Sequence, residues 1–156
     1  MRILQINNCH HRRGGADVVY LNTGELLEKK GHDVFYFSQH DDKNYGCKTE
    51  EYFIDNIDYF KKSIVQKIMA VPRFFYSIEA KHKIERLITE LKPDIAHIHT
   101  YKGTLSPSIL QILKTKGFLL LFLCMIMDFY VLTILLSMEM ALFVQNVTIV
   151  AMPYIV

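Results

Sequence analysis

Beyond Gly117 this sequence of 156 residues has no lysine, arginine, histidine or glycine. The closing stretch "GFLLLFLCMIMDFYVLTILLSMEMALFVQNVTIVAMPYIV", residues 117–156, holds two acids, Asp128 and Glu139. All 18 basic side chains lie before it, against 14 acidic ones, so the first 117 residues carry an excess of four positive charges. A globular α/β domain needs turns, and turns draw on Gly, Pro, Asn and Asp. The tail offers almost none of these before Asn146 and Pro153.

Other absences exclude whole classes of function. No Lys/Arg cluster stands out beyond Arg12-Arg13 and a mixed helix near 79–92, so no nucleic acid is expected as a partner. The three cysteines, Cys9, Cys47 and Cys124, are odd in number and without metal-like spacing. The start, MRILQINN, has no long apolar run of the secretory kind, and a reducing cytoplasm is the expected compartment. The length suits one fold unit. The dinucleotide pattern G-x-G-x-x-G is missing, and no Ser/His/Asp or Cys/His triad can be argued from spacing, so no catalytic residue is assigned.

What is present reads as alternating strands and helices. Residues 2–7 (RILQIN) form a strand-length run that stops at Asn7-Asn8, and Gly14-Gly15-Ala16-Asp17 opens a helical pattern. Along that helix Ala16, Val19, Tyr20, Thr23, Leu26 and Leu27 recur at three- and four-residue steps as the expected buried face. Lys29-Lys30 suit its C-terminal dipole, and Gly31 suits the residue that ends it. Residues 32–38 (HDVFYFS) are a second strand, which makes a βαβ unit with parallel strands and a right-handed crossover.

Residues 39–60 are polar and uneven, with a short strand expected in EYFIDNID. A helical pattern runs from Lys61 to Leu91, broken at Pro72; its second piece, from Arg73, places Phe74, Ile78, Lys81, Glu85 and Ile88 on one amphipathic surface. Lys92-Pro93 ends it. Residues 94–99 (DIAHIH) are a strand. Ser106-Pro107 has the form of an N-cap with Pro at the first helical position, and the helix closes at Gly117. The expected fold is a doubly wound, mostly parallel, Rossmann-like α/β sheet.

Ligands in such sheets sit beyond the carboxyl ends of the strands, here NNCHHRRGGAD, SQHDD and HTYKGT. Gly14 and Gly15 are the best candidates. They let backbone N–H groups approach an anion at a helix N-terminus, with Arg12 and Arg13 adding charge; the plain alternative is a tight strand-to-helix turn. Cys9, His10, His97 and His99 fall near strand ends, but without C-x-x-C or H-x-x-x-H spacing no metal is expected. Alternation puts His97 and His99 on one face, with His97 as the hydrogen-bonded interior residue and His99 facing the cleft.

The combination RILQINN…RRGGADVVYLNTGELLEKKGHDVFYFS with LKPDIAHIHTYKGTLSPSILQILKTKG resembles the N-terminal domain of the retaining glycosyltransferases of family 4. These are GT-B enzymes with two Rossmann-like domains around a cleft. The resemblance covers residues 1–117 and implies an acceptor-side domain. Arg13, Gly14, Gly15 and Ala16 would then lie near the sugar-nucleotide diphosphate or the acceptor, with His99 at the cleft wall. It implies a nucleotide-sugar and a glycan or lipid-linked acceptor as partners, surface-polysaccharide biosynthesis as setting, and no metal cofactor. A donor-binding C-terminal domain has no room here, so the chain is expected to be inactive alone.

Residues 118–156 depart from that family, which next has a strand ending in "HDY" and, in relatives like this one, "CPNY". As a membrane segment, residues 118–138 offer thirteen Leu/Ile/Phe/Val. At about −0.3 to −0.6 kcal/mol each these outweigh a central aspartate at about +2.5 to +3.5. Lys114 and Lys116 would hold the preceding side in the cytoplasm, although an unpaired central Asp128 is unusual for a span. As a core element, residues 118–124 suit the vacant strand position, but the next thirty or so have no polar face and are expected to be helical or ill-defined.

A third origin of the tail rests on the genetic code. Read two nucleotides out of phase, Met125-Ile126 must give Asp, Met127-Asp128 Gly, and Phe129-Tyr130 Leu. One allowed result across residues 123–134 is Met-His-Asp-Tyr-Gly-Phe-Leu-Cys-Pro-Asn-Tyr, which contains both missing motifs in order. Phe143-Val144 and Asn146-Val147 can each give Cys in the same phase. The tail is thus expected to be an out-of-frame reading of a longer gene, slipped near Gly117. The coding DNA tests this: the shifted frame should stay open past codon 134 and spell the motif, whereas immediate stop codons would sink the idea.

Overall fold

The computed structural model of the chain describes residues 1–56, 76–101, 105–118, 120–123 and 147–150. Five parallel strands form one sheet: β1 (Arg2–Ile6), β2 (Asp33–Phe37), β3 (Ile95–Ile98), β4 (Leu120–Leu123) and β5 (Val147–Val150). Their order is β2-β1-β3-β4-β5. Helix α1 (Gly15–Lys29) joins β1 to β2, α2 (Ile78–Leu91) precedes β3, and α3 (Ser108–Thr115) follows it. The fold is Rossmann-like α/β, and its order reverses between β1 and β3, the crevice where such sheets hold ligands.

The two faces of the sheet differ in chemistry. Leu4 and Ile6 of β1 share one face with Phe37, Ala96 and Ile98, and pack against Ala80, Ile84, Leu87 and Ile88 of α2 and Ile109 and Leu113 of α3. Each fully buried Leu or Ile there contributes about 1.5–3 kcal/mol. Alternation sends Gln5 to the opposite face with His97, its register partner on β3. That face lies under α1, where Tyr20 meets the rings of Tyr36 and His99.

The helix starts that close over the sheet are tied by serines. Ser77 caps α2 by accepting from the Ala80 N–H at 3.1 Å. Ser106 Oγ accepts from the Ser77 N–H at 2.9 Å, and Ser108 Oγ donates to Ser77 O at 2.9 Å. The three buried residues thereby satisfy groups that a buried helix end would otherwise leave orphaned. At the other ends, Lys92 (φ 46°) and Gly117 (φ 73°) take the left-handed turn that stops α2 and α3, and Gly31 (φ 82°) follows α1.

Several details differ from the sequence expectation. In α1 the buried residues are Asp17, Tyr20, Leu21 and Gly24, while Leu26 is 54% exposed; the helix is rotated so that its glycine, not its leucine, meets the sheet. In α2 the buried stripe is Ala80, Ile84, Leu87 and Ile88, while Ile78 is 62% exposed. In place of a strand in EYFIDNID there is a short 3-10 helix, Glu50–Tyr52, and a parallel bridge between Gln39 and Ile54. Helix α3 begins at Ser108, one residue past Pro107, because Ser106 adopts a positive φ of 55°.

Residues 61–72, expected as helix, and Phe74 lie outside the described residues. Within the tail, the described residues 120–123 form a strand beside β3, in the vacant position that residues 118–124 suit, whereas 147–150 form a strand where helix or no defined structure was expected. Most of the proposed span 118–138 lies outside the described residues, and among those described no helix is long and apolar enough to cross a membrane.

At Gly24, α1 lies close to Tyr36 of β2. A Cβ there would lie 2.9 Å from Tyr36 Cε1 and nearer still to the phenol oxygen, which donates to Glu28 at 3.1 Å. Gly24→Val should therefore destabilise the chain by about 1–3 kcal/mol through overpacking. Urea unfolding monitored by circular dichroism would read this, and an unchanged midpoint would refute the contact.

Candidate functional site

The carboxyl ends of β1 and β3 meet at the point where the sheet order reverses. Asn7 and Asn8 leave β1 while His99 and Thr100 leave β3, held in step by His99 N–H to Ile6 O at 2.9 Å. Thr100 Oγ1 donates to Asn7 Oδ1 at 2.5 Å and accepts from the Asn8 N–H at 3.2 Å. Asn7 Nδ2 donates both to Cys9 O and to Asp17 Oδ1 at 2.8 Å. Asp17 Oδ2 accepts from the Gly14 N–H at 3.0 Å. The buried carboxylate of the first turn of α1 thus ties the glycine loop to two strand ends.

The glycine loop itself is open. Gly14 and Gly15 are exposed, and Gly14 is extended at φ −148°, a conformation available to any residue. A Cβ on Gly15 would meet nothing within 4 Å. Neither strain nor packing among the described residues accounts for glycine at 15. The first α1 hydrogen bond is Val18 N–H to Gly14 O at 3.1 Å, so the N–H groups of Gly15 and Ala16 precede it. Arg13 Nε stands 3.8 Å from Asp17 Oδ2, and Arg12 donates to Asn22 Oδ1 at 3.4 Å.

The loops after β1 and β2 are stapled together by Asn44. Its Oδ1 accepts from the His10 N–H and lies at the same 3.3 Å from His11 Nδ1, while its Nδ2 donates to Gln39 O at 2.8 Å. Below them a buried polar layer lies under α1. Tyr20 O–H meets His10 Nδ1 at 2.8 Å, and His99 Nε2 lies 2.6 Å from Gln5 Oε1. The rings of His97 and His99 are 4.2 Å apart.

Burial sets the charges of this layer. It lowers the His10 pKa to about 4, with help from nearby His11, and the His99 pKa to about 3, with help from His97. Burial also lowers that of His97 and raises the Cys9 thiol and the Tyr20 phenol. All three imidazoles are neutral at pH 7. Among the described residues no group of three or more His, Cys, Asp or Glu could hold a metal ion.

Of the residues expected from sequence, Arg13, Gly14, Gly15 and Ala16 form one continuous stretch at the start of α1. His99 does not join them at the surface. It is 3% exposed and hydrogen-bonded to Gln5, so the hydrogen-bonded interior position expected for His97 is taken by His99, while His97 is half-buried. Alternation identified their shared face but not which would find a partner. Gln5, Asn7, Asp17 and Thr100 were missed; a glutamine inside an otherwise apolar strand and an acid three residues after a glycine pair were the available signals.

The histidines make stability depend on pH. Their folded pKa values lie below the unfolded value of about 6.5, so the unfolded chain binds protons first as pH falls. Stability should be full above pH 6.5 and decline toward pH 4, with His99 extending the loss toward pH 3. Melting temperatures across that range should fall, and His99→Asn should flatten the lower part of the curve. A flat wild-type profile would contradict neutral burial.

A family model described as Glycosyltransferase Family 4 matches residues 13–118, about two thirds of the chain. No curated protein matches the chain.

Proposed function

The chain belongs to glycosyltransferase family 4, and from that premise we propose that residues 1–117 form the acceptor-side wall of a sugar-transfer cleft. The observation that carries this reading is the open glycine loop at the switch point of the sheet. Gly15 is exposed, and a Cβ there would meet no atom of the described residues within 4 Å, which leaves its backbone N–H approachable by a phosphate or a sugar. The helix dipole and Arg13 favour negative charge there. Asp17 keeps Gly14 N–H for itself, so Gly15 and Ala16 are the donors offered to the ligand.

The proposed reaction is transfer of a sugar from a nucleotide-sugar to a glycan or lipid-linked acceptor, with no metal required. Rate acceleration needs groups that bind the transition state more tightly than the ground state. A single wall supplies orientation and anion binding but not the groups across the cleft. The 156 residues alone are accordingly proposed to bind without turning over.

Calorimetry with UDP-glucose as probe tests this. Binding should saturate, and Gly15→Val should weaken it about tenfold, the equivalent of ~1.4 kcal/mol. Because a side chain at 15 has free space, the melting temperature should not move. A folded Gly15→Val chain that binds like the wild type would overturn the loop assignment.

A further inference from the structure

We propose that Gln5 is a positioning residue that holds His99 as the neutral tautomer protonated on Nε2, leaving Nδ1 as a bare hydrogen-bond acceptor. This deepens the reading above and rests on it only for the ligand that His99 would meet. Gln5 sits in β1, an interior strand paired on both sides, and is fully buried between Leu4 and Ile6. A buried amide without a partner is costly, so an apolar residue would be the expected occupant. Its oxygen lies 2.6 Å from His99 Nε2. With the amide oxygen on that side, which can only accept, Nε2 carries the proton.

The rest of the pocket does not compete for Nδ1. The His97 ring lies tilted at 42° with its centroid 4.2 Å away, and the Tyr20 ring stands edge-on at 5.3 Å. The Tyr20 hydroxyl is engaged by His10 Nδ1 at 2.8 Å. His99 Nδ1 and Gln5 Nε2 are both buried and have no partner among the described residues. Buried polar atoms of this kind are few in native proteins, and pairing with a water or a ligand hydroxyl would satisfy them. A bare imidazole nitrogen pairs with an O–H donor and repels an unprotonated phosphate oxygen. The inner part of the cleft is therefore matched to a hydroxyl group or an ordered water, in contrast to the anion-favouring glycine loop.

Histidine side-chain 15N–1H correlation spectra of the full chain at neutral pH decide the matter, with His99 assigned through His99→Asn. The expected signature is a pyrrole-like Nε2 and a pyridine-like Nδ1. Gln5→Glu should move both nitrogens to the protonated pattern, since a carboxylate at that distance holds an imidazolium. Gln5→Leu should give averaged tautomer shifts. A proton on Nδ1 in the unsubstituted chain, or a signature that survives Gln5→Leu unchanged, would overturn the assignment. Should Gln5→Leu not fold, the wild-type and Gln5→Glu spectra carry the decision. Failure of UDP-glucose to bind, with the Nε2–H signature intact, would count against the proposed function alone.

Discussion

A single buried carboxylate holds the cleft together. Asp17 is 4% exposed, yet its two oxygens reach in different directions, one to the side-chain amide of Asn7 and the other to the backbone of Gly14. Through Asn7 and Thr100 the same connection extends to the end of β3. Leaving one of these buried groups unpaired costs about 1–3 kcal/mol, so the carboxylate and its partners are mutually required. Its place in the first turn of α1 is favourable for the helix as well, because a negative charge there opposes the positive end of the dipole. One residue thus starts the helix, shapes the glycine loop and joins the strands on either side of the crevice.

The sheet can carry this polar arrangement because its other face does not share it. Leu4, Ile6, Ala96 and Ile98 bury against α2 and α3 in a continuous apolar layer. The face under α1 instead holds Gln5, His10, Tyr20, Tyr36, His97 and His99, joined by hydrogen bonds and ring contacts. An amide and three imidazoles are tolerated there only while the rings stay neutral. The apolar core lies on the α2–α3 side, and the buried polar groups lie on the α1 side and at the strand ends above it.

Much of this was legible in residue order. Periodicity and the stops at Gly31, Lys92-Pro93 and Gly117 place α1, α2, α3 and the first three strands, because caps and turns depend on local backbone chemistry. The helix faces were less legible. Nothing local to α1 says that Gly24 rather than Leu26 meets the sheet; that follows from the volume of Tyr36, which comes from another element. The site divides in the same way. The Gly14-Gly15 loop is readable as a pattern, whereas Asp17, Asn7 and Thr100 come together only through contacts across ten and ninety-three residues. His99 shares its strand face with His97 as alternation requires, but its burial depends on Gln5 in β1 and Tyr20 in α1.

The charge of Asp17 also constrains how an anion can enter the loop. A phosphate at Gly15 and Ala16 would sit near a carboxylate that cannot be given up without losing Asn7 and Gly14. The compensating charge must come from Arg13, whose side chain is 66% exposed and stands 3.8 Å from Asp17, beyond good hydrogen-bond distance. An ion pair of that kind contributes little, about 0–1 kcal/mol. Arg13 can therefore leave it for a ligand at small cost while Asp17 keeps its two stronger bonds. On the proposed reading, the weak contact lets the buried acid organise the loop without closing it to negative ligands.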